Sequence, residues 1–364
     1  MSKVPRDSSL GGQDFAGDAR LSEMIDEIAA APPLYRPSNF WINLNRINLE
    51  MLGAHGLASF KRTVSQNYFN WLVISPRNNQ LVNLVRDWLL HPSIRPFLNS
   101  IEPPNLLKTT IGLEHRVGRR QIFIYKLFVG LLWEFTMRHD RTGLIKRLEE
   151  PSLGNPIVIR RRGRLISQDL ANSIREYGTI CEAHPAVKES RTTIAELGAG
   201  YGRLAHVALS NPHCRYLVFD IPPALYVSQW YLTQLFPNDR IFTFRRFGSY
   251  EEIREELDAA RIGFFTPSQL ELFPGRAFDV FVTISTLSEM TSAQTRNYLE
   301  QMERTVRSLV YLKQWANWDN ADDGRSFSRA DISFRELECA IDRNDAIQDM
   351  FLEQVWKRKY LFEP

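Results

Sequence analysis

The sequence predicts an α/β chain, a doubly wound and mostly parallel sheet preceded by an N-terminal helical extension. Three observations carry that prediction. The apolar run Ile194 to Leu197 is followed by Gly198, Gly200 and Gly202 at alternate positions, and a helical pattern starts at Arg203. A second apolar run, Arg215 to Phe219, ends in Asp220 about twenty residues beyond the glycine turn, where doubly wound sheets place a carboxylate. Beyond Asp220, apolar strand patterns and helical patterns alternate as a parallel sheet requires.

In chain order, residues 1–20 are polar and glycine-containing without an apolar core, and are expected to be a disordered tail, neither signal peptide nor anchor. From Leu21 to about residue 150 the pattern is helical, broken by Pro32-Pro33, Pro76, Pro92 and Pro103-Pro104. This region is expected to serve as a substrate lid or an oligomerisation surface. Ser38 is placed to cap a helix through Phe40, Trp41, Leu44 and Ile47 that stops at Gly53. Further helices are predicted over 60–72, 79–91 and 117–141. The apolar run Ile122 to Met137 falls short of the ~20 residues a membrane span needs and contains Lys126 and Glu134, so it reads as a buried helix. The aromatics Phe40, Trp41, Phe60, Tyr68, Phe69 and Trp71 stand at helical spacing and read as core in preference to a sugar-stacking surface.

A second unit is predicted over 151–364. It opens with two short strands, Pro156 to Arg160 and Arg164 to Ile166, joined at Arg162-Gly163. The arginines at the tip read as solvated in preference to a phosphate grip. Ser167 caps the next helix, whose Leu170, Ile174, Tyr177 and Cys181 form one apolar stripe. After Asp220, Pro222-Pro223 opens a helix to Leu235. Ile241 to Phe244 is a third strand, with Arg246, Phe247 and Gly248 placed to flank an adenine, and Ser249 caps the helix after it. Phe278 to Ile284 is a fourth strand, Thr291 to Ser308 a helix, and Leu309 to Leu312 a fifth strand delivering Lys313, Gln314 and Trp315. Phe351 to Phe362 is expected to close the sheet.

The turn indicates a nucleoside-containing ligand, because only a missing Cβ lets backbone approach one closely. A dinucleotide fingerprint needs a glycine where Arg203 stands, which argues against NAD. Glu196, closing the first strand, repels a pyrophosphate and suits a cation. S-adenosyl-L-methionine carries both a ribose and an ammonium, and the run E-x-G-x-G-x-G resembles the first motif of class I methyltransferases, Asp220 matching their ribose-binding acid. From about Tyr35 to Trp315 the chain resembles the sugar O-methyltransferase family, on FKRTVSQNYFNWL, GNP with ISQDLANSIREY, ELGAGYGRLA, FDIPPALYVSQWYL and LSEM. The resemblance implies a class I, Rossmann-like methyltransferase with a sugar hydroxyl as acceptor. The turn by itself leaves other acceptors, amine, peptide or small molecule, open.

Methyl transfer is a displacement, so alignment supplies most of the rate and a general base adds about 10²- to 10⁴-fold. Glu289 is the first candidate base, expected as a carboxylate at neutral pH, and His206 the second. Cofactor binding is expected of Glu196, Gly198, Gly200, Asp220, Ile221 and Phe247. Tyr201 either covers the methionine portion or packs, and Arg203 and Glu176 are placed for its carboxylate and ammonium. Lys313 and Trp315 are placed for the acceptor. A net charge of +3 over 364 residues gives no field for nucleic acid or an anionic membrane. The three cysteines, Cys181, Cys214 and Cys339, are not at metal-ligand spacing and read as reduced thiols of a cytoplasmic protein. A metal-independent reaction and a small-molecule acceptor are expected, and a homo-oligomer is compatible with the sequence.

Overall fold

The computed structural model describes residues 18–63, 73, 75–89, 101–102 and 118–359. Its main sheet comprises β1 (Thr192–Leu197), β2 (Cys214–Phe219), β3 (Ile241–Phe242), β4 (Ile262–Phe265), β5 (Phe278–Ile284), β6 (Val306–Trp315), β7 (Leu337–Asn344) and β8 (Phe351–Arg358). They lie side by side in the order β7-β8-β6-β5-β1-β2-β4-β3, parallel throughout except for β7 and β8. The inner parallel strands β1, β2, β4 and β5 are largely apolar and buried because both faces are covered, whereas the antiparallel edge strand β7 is mostly exposed. Leu197 of β1 pairs with Phe219 of β2 on one side and Thr283 of β5 on the other, so all three strands end together.

The five central strands run β4-β2-β1-β5-β6, so the order of growth reverses between β1 and β5. A crevice opens outside the carboxyl ends of strands at such a reversal, and this is where open α/β sheets bind ligands.

Strand β4 is absent from the expected layout. It takes the place beside β2 expected of Ile241–Phe244, which is reduced to the two residues of β3 at the sheet's edge. Lys313, Gln314 and Trp315 lie inside β6, not in a loop beyond it. Strand β8 starts at Phe351 as expected, whereas nothing in the sequence pattern points to β7 or to the hairpin Asn317–Asn320 with Arg325–Ser328.

Helix α1 (Ala19–Ala30) begins inside the expected tail because the Asp18 carboxylate accepts from the backbone N–H groups of Arg20 and Leu21. Helix α2 (Asn39–His55) is capped by Ser38 and runs past Gly53 to Gly56, whose φ of +69° ends it. The segment Leu57–Arg62 is a 3-10 turn instead of a helix start, and 64–72, with Tyr68, Phe69 and Trp71, lies outside the described residues. Helices α3 (Asn79–Leu89) and α4 (Arg119–His139) follow. Helix α4 is buried along its middle, and among the described residues no helix is long and apolar enough to cross a membrane.

Helix α5 (Gln168–Ala183) is capped by Ser167 as expected, its apolar stripe packed in the core. The hairpin before it pairs Arg160–Arg161 with Arg164–Leu165; Arg160 and Arg162 are exposed as expected, whereas Arg161 is buried on Glu134, and Arg164 donates to the carbonyls of Ile145, Lys146 and Leu148. Helices α6 (Arg203–Ala208) and α7 (Ala224–Leu235) flank β2, α8 (Arg254–Ala259) starts at Ile253 without any cap from Ser249, and α9 (Ser292–Thr305) is capped by Thr291.

One buried ion pair ties the N-terminal region to the sheet. The Lys61 ammonium meets the Glu150 carboxylate, donates to the Tyr231 hydroxyl at 3.1 Å, and both charged side chains are at most 5% exposed. Glu150 also accepts from Ser167 Oγ at 2.6 Å. Removing one member of such a pair strands the other charge, so Lys61→Met is expected to lower unfolding stability by about 3–5 kcal/mol. Urea denaturation followed by circular dichroism measures it, and a loss of under about 1 kcal/mol, the worth of an exposed pair, would show that the pair does not anchor the region.

Candidate active site

The bend after β1 and the end of β2 are joined by one carboxylate. Gly200 N–H donates to Asp220 Oδ2 at 2.7 Å and Ile221 N–H donates to Asp220 Oδ1 at 2.7 Å. The bend can make this approach because Gly198 and Gly200 have φ of +76° and +59°. A Cβ on Gly198 would stand 2.1 Å from Thr286 Oγ1, so the loop after β5 closes directly on the bend.

Between these elements lies a cavity lined by Gly198, Gly200, Asp220, Ile221, Ser285, Thr286 and Glu289, with Pro267 from the end of β4. Its roof is the N-terminal stretch from Tyr35 to Trp41. Four bonds hold the roof: Tyr35 Oη to Glu271 at 2.5 Å, Ser38 Oγ to the Glu289 carbonyl at 2.7 Å, Gln294 Nε2 to the Arg36 carbonyl at 2.7 Å, and the Trp41 indole N–H to the Glu289 carboxyl. Helix α2 is in turn held at its start by Asp323, which accepts from Asn39 N–H at 3.1 Å. The enclosed free space is about 50 Å³, room for a few waters. Small-molecule sites typically measure about 300–1,000 Å³, several times this space.

Two carboxyls, Asp220 and Glu289, line the cavity, and a third, Glu196, lies behind them without lining it. Burial pushes Asp220 up to about 7 against its two N–H donors. Burial pushes Glu196, beneath the bend, up to about 7, although it accepts from Tyr216 Oη at 2.7 Å. Burial raises Glu289 to about 8, opposed by the Trp41 N–H and helped by the charge of Asp220. Glu289 is therefore chiefly the neutral acid at pH 7, contrary to the carboxylate expected from its sequence position. Desolvation decides it, which spacing along a chain does not report.

Of the residues expected at a site, Gly198, Gly200, Asp220, Ile221 and Glu289 are gathered around one cavity. Glu176, Arg203 and Lys313 form a second group behind the bend. Arg203 makes two bonds to the Glu176 carboxylate, at 2.5 and 3.3 Å, and Lys313 stands 3.2 Å from Glu176 and 3.0 Å from Asp345. These charges are matched with one another, and Lys313, 2% exposed, is not presented to an acceptor. Trp315 stacks between Trp318 and Phe351, away from the cavity.

Tyr201 packs on Phe60 and Tyr231 and donates to Asp169 Oδ2 at 2.7 Å, the packing alternative. His206 faces Phe236 and does not line the cavity, and burial lowers its pKa to about 4. Phe247 packs edge-on to Phe265 and does not line the cavity, because β4 stands between it and β2. Pro267, at the end of β4, occupies the place expected of it. The roof residues Tyr35, Ser38 and Trp41 are not recognisable as a site from the sequence. The spacing of Trp41 reads as core, and only the cap signal at Ser38 marks the stretch.

The chain matches no protein-family profile and no curated protein sequence. Among solved structures it is similar to the magnesium protoporphyrin IX methyltransferase of Synechocystis PCC 6803 with bound S-adenosylhomocysteine, at 10% identity and a TM-score of 0.37 over 53% of this chain and 86% of that one. It is likewise similar to the 1,6-didemethyltoxoflavin-N1-methyltransferase of Burkholderia thailandensis, at 14% identity and a TM-score of 0.35 over 53% of this chain and 79% of that one. The mitomycin 7-O-methyltransferase is 13% identical with a TM-score of 0.37, over 65% of this chain and 63% of that one.

The raised carboxyls make a stability prediction whose sign is fixed. Unfolded, Glu289 loses its proton near pH 4 (about 4.3), whereas folded it keeps it to about 8. Between these values the folded state holds the extra proton, so this group's contribution to stability falls as pH rises. Glu289→Gln, which cannot ionise, is expected to exceed the parent by only about 1 kcal/mol at pH 5 and to unfold at distinctly higher urea at pH 8.5. An equal or lower midpoint at pH 8.5 would place the carboxyl in a better solvated position than the cavity.

Proposed function

We propose that the protein is an S-adenosyl-L-methionine-dependent methyltransferase that methylates a sugar hydroxyl, in a glycan or on a nucleotide-linked sugar. The observation that carries this reading is the Asp220 carboxylate clamped to the glycine bend at the switch point of the sheet, facing the same cavity as Glu289. The residues present fit the cofactor. Asp220 has lone pairs left for two ribose hydroxyls, Gly198 and Gly200 leave backbone bare beside it, and Glu196, Asp220 and Glu289 make the surroundings favourable to a cation.

When bound, the cofactor supplies a methyl group made electrophilic by its sulfonium. The chain's part is to align the acceptor, exclude water and take up a proton. Tyr35, Ser38 and Trp41 close over the cavity and exclude solvent. Glu289, at the end of β5, receives the acceptor's proton. Arg203 and Glu176, engaged with one another, back the bend instead of touching the cofactor. Positioning and proton removal suffice chemically, and the reading assigns no metal.

The sugar acceptor rests on the resemblance set out above. A second reading, a flat or apolar acceptor, is favoured by the Tyr35, Trp41, Met290 and Tyr298 walls. Incubation with methyl-labelled donor and a panel of sugar nucleotides, free glycans, phenols and amines separates them, and label on amines or phenols alone would overturn the sugar reading. Asp220→Ala is expected to weaken S-adenosylmethionine binding by about 1–3 kcal/mol, the cost of lost hydrogen bonds to a buried carboxylate. Calorimetric titration measures it, and an unchanged dissociation constant would remove Asp220 from the site.

A further inference from the structure

The groups around the Glu289 carboxyl come from five parts of the chain. Asp220 faces it across the cavity, and the Trp41 indole N–H is bonded to it from α2. From the roof, Arg36 is exposed and its Nε donates to the Ala31 carbonyl at 2.7 Å, while Tyr35 is bonded to Glu271. Tyr298 of α9 completes the wall. Behind the loop, Arg325 donates to the carbonyls of Leu287 and Met290 and to Thr295 Oγ1, with Asp331 at 3.8 Å. Among the described residues lining the cavity, Arg36 is the one base, and its guanidinium is turned to the Ala31 carbonyl. Two carboxyls thus line one small cavity in which, among the described residues, the chain's own lysines and arginines make no bond to either.

We propose that Glu289 is a general base armed by the positive charge of the methyl donor: it stands as an acid when no cation is present, sheds its proton to solvent when one settles between it and Asp220, and then accepts the acceptor's proton. This rests on the cofactor reading above. The direction of the Glu289 shift agrees with the geometry, since burial and Asp220 raise it to about 8. An opposite charge within about 4–6 Å lowers a carboxyl pKa by about 1–3, enough to carry it below neutrality.

In each turnover the acceptor oxygen gains the methyl carbon, the electron pair of the broken carbon–sulfur bond stays on sulfur, and the acceptor's proton passes to the Glu289 carboxylate. The site then holds a neutral sulfide and a neutral acid. No charge holds the product, and the base is unmade until the next donor arrives. A water molecule that reached the site ahead of the donor would find no base to activate it.

The test needs no acceptor. Calorimetric titrations of the full chain with S-adenosylmethionine and with S-adenosylhomocysteine, at pH 7 in phosphate and in Tris, give the protons released per ligand. By linkage, the methyl donor is expected to release about 0.5–1 proton more than the sulfide. In Glu289→Gln that difference is expected to fall to less than half. Trp41→Phe removes the N–H that steadies the carboxylate and keeps the charge, so the difference is expected to persist with its pH midpoint moved upward. Equal release by the two ligands in the parent, or an undiminished difference in Glu289→Gln, would overturn the proposal and leave the cofactor reading standing. Binding of neither ligand would overturn both.

Discussion

The bond that the rest of this molecule depends on is a carboxylate held by two backbone N–H groups. Asp220 receives Gly200 and Ile221, both at 2.7 Å, and so fastens the bend after one strand to the end of its neighbour. Hydrogen bonds to an ionised group are about twice as strong as neutral ones. Here they also fix position: Gly198 N–H reaches the Phe219 carbonyl at 2.9 Å, and Asp220 N–H reaches the Phe265 carbonyl at 3.1 Å. Three strand ends are thereby stitched into one rim, and the bare backbone of Gly198 and Gly200 is presented on it.

Such a rim accumulates carboxyls, which is costly in a space from which water is nearly excluded. The chain meets that cost by protonation more than by pairing. Glu196, Asp220 and Glu289 are all raised toward or beyond neutrality. Farther back, the opposite solution holds: Arg203 and Lys313 keep Glu176 below its ordinary range, and Arg175 and Lys313 keep Asp345 well below its own. Arg203 also acts on Glu196, whereas the two carboxyls that face the cavity, Asp220 and Glu289, are held by N–H groups and not by a lysine or arginine.

The parts legible in the sequence are those governed by local rules. A strand, three glycines with positive φ, a helix start and an acid at fixed spacing are all properties of a short stretch, as are the caps at Ser38, Ser167 and Thr291. Strand β4 escapes because IGFF is too short to show a period and carries Gly263, which is small because Leu217 and Phe265 press on it. With β4 unseen, Phe247 falls beside Asp220, a place that Pro267 holds. The roof escapes for another reason. Ser38 meets Glu289 across some 250 positions of chain, and a contact of that length leaves no imprint on composition or spacing. Trp41 has the helical spacing of a core residue and is one on one side only. Lys313 and Trp315 do stand at the end of a strand, but β8, although expected, carries no sign in the sequence that it pairs over them, and its partner β7 carries no recognisable signal.

That hairpin reaches the glycine bend through an unbroken run of charges. Arg175 grips Asp345 with both carboxylate oxygens at 2.9 Å, Asp345 meets Lys313, Lys313 meets Glu176, and Glu176 meets Arg203, the first residue of the helix behind the bend. Synthesis on the ribosome delivers these partners in an awkward order. A nascent chain that has emerged through β6 holds Arg175, Glu176, Arg203 and Lys313 with one anion for three cations, and Asp345 brings the second anion. The rim, though written in the middle of the chain, therefore acquires part of its backing only once the turn between β7 and β8 has been made.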